Sequence, residues 1–199
     1  MRVVCLDLEG VLIPEMWIMV AEATRIDDLR VTTRDIDDYD DLMKHRLEIL
    51  DSKGISLADI QQIIGQVSPL PGAVEFLNAL RRRWQAAILS DTFVEFAGPA
   101  MAKLGWPFLL CNTLVVDENQ MITGYQLRQP DGKLKAVRAF GTLNVEVLAV
   151  GDSFNDISML RAADQGFLFR PSDAVCRAHP DLPQFDSHET LLKALIEHR

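Results

Sequence analysis

The sequence has few cysteines and lacks a long apolar run. Its three cysteines are widely spaced, form no C-x-x-C pair and suggest no disulfide framework. No apolar stretch approaches the roughly 18 residues of a membrane span. The chain starts directly in an apolar segment typical of a strand, so we expect no signal peptide. These absences predict a cytoplasmic protein that has no membrane partner.

Basic residues are also scarce. Twenty lysines and arginines stand against 29 acids, giving a formal net charge of −9 and a pI near 4.9. Nucleic acids and anionic membrane surfaces need a basic face on their partner, so we expect neither to bind. The 199 residues, 48% hydrophobic and 25% charged, are typical of a globular protein. This length suits one domain, or one domain with an insertion.

Short apolar runs alternate with helical patterns along most of the chain. Unbroken apolar strands separated by helices predict an α/β fold, with a parallel sheet covered on both faces. The predicted strands are 3–8, 86–89, 108–111, 145–150 and 166–169, and the predicted helices are 72–84, 93–104, 155–163 and 188–197.

Two segments interrupt this alternation. Residues 15–69 show helical patterns, including a helix over 39–53 and another that begins at a Ser56–Asp59 capping pair. We therefore predict a helical cap over 15–69, inserted into a core of 1–14 and 70–199. Residues 109–127 contain two alternating runs around "DENQ", which predicts a β-hairpin. This hairpin is a candidate homodimer surface.

Polar side chains cluster where the predicted strands end. Ligands of open parallel sheets bind at the carboxyl ends of strands, so we expect these side chains to converge. Acids at two separate strand ends favour a hard cation, and Mg²⁺ suits carboxylate ligands. The residues are Asp7 and Glu9 after the first strand, Ser90 and Asp91 after the second, Asp152, Asn155 and Asp156 after the fourth, and Lys133 shortly before the fourth.

Other ligand sites fit poorly. The segment "DSFND" lacks the glycine and the glutamate that an EF-hand loop needs. The chain also contains neither G-x-G-x-x-G nor G-x-x-x-x-G-K-[ST], which disfavours dinucleotide and P-loop sites.

The acidic segments resemble the four motifs of the haloacid dehalogenase (HAD) superfamily. "DLEGV" resembles the first motif, usually D-x-D-x-T/V, and "ILSDT", Lys133 and "GDSFND" resemble the second, third and fourth. The resemblance implies a Rossmann-like core with a small helical cap. More narrowly, "CLDLEGVL" and "GYQLRQ" are similar to the bifunctional phosphoserine phosphatase/homoserine phosphotransferase (ThrH) branch.

The resemblance also implies roles for these residues. Asp7 is expected to be the nucleophile, and Glu9 the acid/base that replaces the usual aspartate. We expect the acceptor preference to change with this longer side chain. The expected Mg²⁺ ligands are Asp7, the Glu9 carbonyl and Asp152, with Asp156 in a supporting position. The expected phosphate and substrate contacts are Ser90, Asp91, Asn155 and Lys133, for which Lys135 is the competitor.

The predicted cap supplies two further candidates. Arg46 lies on the apolar stripe of the 39–53 helix, where it either snorkels at the helix edge or binds a planar anion. The resemblance favours binding, with Arg46 on a substrate carboxylate and Glu15 on its ammonium. Trp17, Met19 and Met43 are interpreted as packing residues.

Together these features predict Mg²⁺-dependent hydrolysis of O-phospho-L-serine through an aspartyl-phosphate, with L-homoserine as a second acceptor. Two alternatives stay open at this point. One is a HAD phosphatase for another small phosphate ester. The other is a noncatalytic domain that binds a metal or phosphate.

Overall fold

The computed structural model describes residues 1–32, 36 and 38–198, and its centre is a seven-stranded sheet. The strand order is β4-β3-β2-β1-β5-β6-β7, and every pair is parallel except the antiparallel pair β3–β4. The strands are β1 (Arg2–Leu6), β2 (Gln85–Phe93), β3 (Phe108–Val116), β4 (Ile122–Gln126), β5 (Glu146–Gly151), β6 (Gln165–Phe169) and β7 (Gln184–Phe185).

Helices cover both faces of the sheet. Along β1, Val4 and Leu6 face one apolar core, and Val3 and Cys5 face the other, because alternate residues of a strand point to opposite sides. The first core includes residues of α4 (Ala73–Arg81), α5 (Val94–Lys103) and α9 (His188–Glu197), and the second those of α6 (Gly132–Gly141), α7 (Ile157–Ala162) and α8 (Asp173–Ala178). The predicted α/β class is confirmed.

The chain between β1 and α4, called the helical connection below, contains no strand in its described residues. It contains α1 (Met16–Thr24), a 3₁₀ turn at Asp27–Arg30, α2 (Tyr39–Lys53) and α3 (Leu57–Gln66). Residues 33–35 and 37 of the predicted cap, and residue 199 of the predicted core, lie outside the described part. The cap boundaries stay a prediction.

Local signals place two of these helices correctly. Helix α2 spans the predicted residues, and Gly54 ends it with a φ of 64° in the left-handed region that glycine tolerates. The Ser56 side chain and the Asp59 carboxylate form the predicted capping box at the start of α3.

The β3–β4 hairpin is confirmed, and it contacts the helices of the connection. Its turn closes where the Asp117 N–H donates to the Met121 carbonyl at 2.9 Å. The Tyr125 hydroxyl donates to the Asp40 carboxylate on α2. The backbone N–H of Leu57, at the start of α3, donates to the Gln120 carbonyl at 2.8 Å. A dimer role for the hairpin stays a prediction.

His188 ties the C-terminal helix to both ends of the helical connection. It is 4% exposed and stacks on Phe169 with ring centroids 4.4 Å apart. Its ring nitrogens lie 2.8 Å from the Val11 carbonyl and 3.0 Å from the Pro71 carbonyl. Val11 precedes α1, and Pro71 follows α3. One side chain therefore links the two points at which the chain enters and leaves the helical connection.

Several strand and helix ends differ from the sequence predictions, and three of the differences concern the site. Strand β1 ends at Leu6, two residues early, and β2 continues to Phe93, so Ser90 and Asp91 belong to its last residues. Lys133 lies in the first turn of a helix that was not predicted. None of the helices in the described ranges is long and apolar enough to cross a membrane.

Candidate active site

A cavity of about 400 Å³ lies at the carboxyl ends of β1, β2 and β5. Its walls come from the sheet and from the helical connection, which contributes residues of α1 and α2. Nine of the ten predicted site residues line it: Asp7, Glu9, Glu15, Arg46, Ser90, Asp91, Lys133, Asp152 and Asn155. The tenth, Asp156, is fully buried.

The turn after β1, which follows Asp7, packs closely against Asp152 in the turn after β5. The Asp7 N–H donates to the Val150 carbonyl at 2.9 Å, which continues the pairing of β1 with β5. Gly10 has a φ of 75°, and a Cβ there would lie only 2.4 Å from an oxygen of Asp152. Only glycine fits this position, because both the backbone conformation and the approach of Asp152 exclude a side chain.

Lys133 lies at the centre of the charged groups. Its Nζ is 2.9 Å from Asp7 Oδ1, 2.8 Å from Asp156 Oδ1 and 3.4 Å from Asp91 Oδ2. Burial would by itself lower the pKa of Lys133, but these three carboxylates raise it well above its usual value. Lys133 is therefore a cation that its three carboxylate neighbours hold in place.

Asp156 holds both Lys133 and the turn after β5. One carboxylate oxygen accepts from Lys133, and the other accepts from the backbone N–H groups of Asp152 and Ser153 at 3.0 and 3.2 Å. The Ser153 hydroxyl donates to the second oxygen at 3.2 Å. A Cβ on Gly151 would lie 2.3 Å from the Asp156 Cβ, so this close approach also depends on glycine.

Three carboxylates are crowded at one point. Oxygens of Asp7, Asp152 and Asp156 lie within 4.8 Å of one another. Burial and the charge of Asp156 raise the pKa of Asp7 well above its usual value, and they raise that of Asp152 to about 7. One lysine does not balance these charges. The donor set fits Mg²⁺, which prefers oxygen ligands, and Asp7 and Asp152 have the less engaged oxygens.

Glu9 is anchored to the start of α1. Its Oε2 accepts from the Met16 N–H at 2.7 Å. Burial and the neighbouring Glu15 carboxylate raise the pKa of Glu9 to about 8. A carboxyl group with this pKa carries a proton at neutral pH and can donate it.

Two residues that the sequence analysis missed hold the end of β2. The Asn112 amide donates to the Asp91 carbonyl at 3.0 Å, and its oxygen accepts from the Arg128 N–H at 3.0 Å. The Tyr39 hydroxyl donates to the same Asp91 carbonyl at 3.2 Å, and its ring lines the cavity. Tyr39 was detectable, because it precedes Arg46 by two helical turns on one face.

The helical connection contributes opposite charges to the cavity. Arg46 is 6% exposed, and its Nη2 donates to the Val31 carbonyl at 2.9 Å. Burial lowers the pKa of Arg46 to about 10. Glu15, at the N-cap of α1, lines the same cavity. An anion and a cation from the connection thus face the space that Asp7 borders.

Comparison with known proteins identifies the family. Residues 1–164 match the haloacid dehalogenase-like hydrolases. The chain belongs to this family. Among HAD relatives, a phosphoserine phosphatase of Pseudomonas syringae pv. tomato is 53% identical over 98% of this chain and 83% of its own length. Phosphoserine phosphatase ThrH of Pseudomonas aeruginosa is 51% identical over 99% of this chain and 96% of its own.

Solved structures agree with the HAD assignment at the level of fold. An apo phosphoserine phosphatase superposes with a TM-score of 0.79 at 18% identity, covering 99% of this chain and 98% of the other. A phospho-aspartyl intermediate analogue of phosphoserine phosphatase superposes with a TM-score of 0.78, also at 18% identity, over 96% and 97% of the two chains. The predicted HAD-type fold is confirmed.

Proposed function

We propose that this HAD hydrolase releases phosphate from O-phospho-L-serine through an aspartyl-phosphate on Asp7, with L-homoserine as a second acceptor. The supporting observation is that one cavity contains both a phosphoryl-transfer set around Asp7 and an opposite-charge pair, Glu15 and Arg46. The names of the relatives support the same substrate.

In the first step, Asp7 attacks phosphorus and the bond from phosphorus to the serine oxygen breaks. Lys133 holds Asp7 Oδ1 at 2.9 Å, so Oδ2 is the oxygen proposed to attack. Glu9, protonated at neutral pH, gives its proton to the departing serine oxygen. The ammonium of Lys133 and the hydroxyl of Ser90 stabilise the charge on the phosphoryl oxygens.

Mg²⁺ is the proposed cofactor. Asp7, Asp152 and the backbone carbonyl of Glu9 would hold it, and when bound it would screen the negative charge of Asp7 from that of the phosphate. Asp156 is proposed to position the groups around it, because its own oxygens already accept four hydrogen bonds from the protein.

In the second step, Glu9 is ionised and can take a proton. A hydroxyl in the position that serine has left attacks phosphorus and passes its proton to Glu9, and the bond to Asp7 breaks. Water yields phosphate, and L-homoserine yields its phosphate ester. Homoserine is proposed because its ammonium and carboxylate suit the same two charges, Glu15 and Arg46.

Substrate selection is assigned to the helical connection. Arg46 binds the carboxylate of phosphoserine, since a guanidinium presents paired donors to a planar anion, and Glu15 binds the ammonium. Asn155 and Asp91 line the same cavity and are proposed as further substrate contacts.

Phosphate release from a substrate panel tests the proposal. The panel contains O-phospho-L-serine, O-phosphoethanolamine and p-nitrophenyl phosphate, each with Mg²⁺ or with EDTA. We expect phosphoserine to have the highest kcat/KM, EDTA to abolish turnover, and Asp7→Asn to abolish it while the protein stays folded.

A matched control is Asp164→Asn, which makes the same change at an exposed acid and should keep full activity. Turnover by Asp7→Asn within tenfold of the wild type would contradict the nucleophile assignment. A preference for another ester would support the alternative phosphatase.

A further inference from the structure

Arg46 has few protein partners among the described residues. One guanidinium N–H donates to Val31, another approaches the weakly accepting Met43 sulfur at 3.9 Å, and Nε has no partner in the described ranges. None of the described carboxylates lies within ion-pair distance of it. Glu9 and Glu15 favour its charge only from beyond that distance, and a buried guanidinium that no carboxylate contacts needs further stabilisation.

The indole of Trp17 supplies a face for this cation. The central guanidinium carbon lies 4.5 Å from the Trp17 ring centroid, well within the range of a cation–π contact. Such a contact stabilises the charge from the face of the guanidinium. It therefore does not engage the N–H groups at the edge of the guanidinium, of which Nε has no partner in the described ranges, whereas a protein carboxylate would occupy them.

The core fixes the orientation of Trp17. Its ring packs edge-on against Phe96 of α5, with centroids 5.3 Å apart, and Phe96 in turn packs against Phe93 at 5.7 Å. Both phenylalanines are about 1% exposed, and Phe93 ends β2, the strand that contains Ser90. A continuous row of rings thus runs from the sheet to the guanidinium.

We propose that Trp17 is a positioning residue for Arg46, and that it sets how strongly the enzyme prefers phosphate esters with a carboxylate. The inference rests on the proposed function, because it assumes that Arg46 meets the substrate carboxylate. It assigns to Trp17 more than the packing that the sequence suggested.

The test compares two substrates that differ by one group. O-Phosphoethanolamine is O-phosphoserine without the carboxylate, so the ratio of their kcat/KM values isolates the carboxylate contact. We expect Trp17→Leu to lower this ratio about 3- to 30-fold, the range that a cation–π contact represents. The loss should lie mainly in the KM for phosphoserine, and Trp17→Phe, which keeps an aromatic face, should restore most of it.

Two further variants separate positioning from packing. Trp84 also lies under an arginine, with the Arg2 guanidinium carbon 4.7 Å from its ring, but it does not line the cavity. Trp84→Leu should therefore leave the ratio unchanged. In an Arg46→Ala background, Trp17→Leu should have no additional effect on the ratio, because the cation that it supports is gone.

The outcomes are distinguishable. If Trp17→Leu weakens turnover of both substrates equally, the residue is only structural and the inference is wrong. If the ratio falls as far in Trp84→Leu, the effect is general and the inference is again wrong. If wild-type enzyme releases no phosphate from phosphoserine in the same assay, the proposed function itself fails, and this inference fails with it.

Discussion

Asp156→Asn tests how the charged cluster is held together. The variant keeps the shape of the side chain but replaces one oxygen by an NH₂ group. In one orientation the NH₂ faces the Lys133 ammonium, and in the other it faces the N–H groups of Asp152 and Ser153. A donor opposes a donor either way, so no orientation restores the native hydrogen bonds.

The expected loss of stability is large for a substitution of equal size. Removing one member of a buried ion pair costs about 3–5 kcal/mol. Two effects reduce this here, since Lys133 keeps Asp7 at 2.9 Å and the repulsion between Asp156 and Asp152 disappears. We expect a loss of about 2–4 kcal/mol, which for a chain of this length lowers Tm by roughly 5–15 °C.

Thermal unfolding with and without Mg²⁺ measures this prediction. Asp164→Asn is the control, because Asp164 is exposed and its carboxylate accepts from the Val147 N–H at 2.7 Å, a bond that an amide oxygen can also accept. Mg²⁺ should still stabilise Asp156→Asn but not Asp152→Asn, since only the latter loses a proposed ligand. A Tm for Asp156→Asn equal to that of the control would refute the reasoning, and so would a complete loss of stabilisation by Mg²⁺.

Four further predictions concern the chemistry and the fold. Glu9→Gln should reduce single-turnover phosphorylation by phosphoserine about 10²–10⁴-fold, but less with p-nitrophenyl phosphate, whose leaving group needs little protonation; equal losses would reject the acid role. The pKa of Asp152 is raised to about 7 by burial and by the charge of Asp156, so its carboxyl is protonated below pH 7. Calorimetry should therefore show the Mg²⁺ affinity falling up to about tenfold per pH unit below pH 7, and a constant affinity would contradict this. His188→Phe keeps a ring but removes the ring nitrogens that lie 2.8 and 3.0 Å from the Val11 and Pro71 carbonyls, so a buried carbonyl loses its donor. Urea unfolding should therefore show a loss of about 1–3 kcal/mol, partly restored in His188→Gln. Homoserine added with phosphoserine should divert phosphate into a phosphohomoserine signal in ³¹P NMR, whereas inorganic phosphate alone would limit the enzyme to hydrolysis.

Local signals predicted some elements accurately. Helices α2 and α3 begin at Asp38 and Ser56 caps, and Gly54 ends α2, so the sequence determines their boundaries through short-range contacts. The strands were placed less well. β2 extends to Phe93 because Phe93 pairs with Asn112 of β3, a partner that a local pattern does not reveal.

Two of the missed elements lack such local signals, whereas the missed helix α8 begins at a Ser172 cap that the sequence does contain. Helix α6 follows Asp131, whose φ of 52° is left-handed and whose side chain makes no capping bond. Strand β7 has two residues and depends on its pairing with β6. Only tertiary contacts specify elements of this kind, so sequence patterns alone do not predict them.

Convergence of the site was predictable because it follows from topology. Once the strands are parallel, Asp7 and Asp152 lie at one edge of the sheet. The supporting contacts of Asn112 and Tyr39 were not predicted, since each depends on a backbone carbonyl, that of Asp91, rather than on a recognisable motif. Sequence motifs thus reveal the reacting groups more readily than the residues that hold them.

The hydrogen bonds also explain why this cluster of acids is tolerated in a buried position. Asp156 is fully buried, yet its oxygens accept from an ammonium, two backbone N–H groups and a hydroxyl. The pKa of Asp152, in contrast, is raised to about 7 by burial and by the charge of Asp156. Burying an unsupported carboxylate is unfavourable unless a cation compensates it. The fold therefore stabilises Asp156 through its own hydrogen bonds, whereas the carboxylates of Asp7 and Asp152 lack a compensating cation that a bound metal ion would supply. Metal binding is thus expected to stabilise the site.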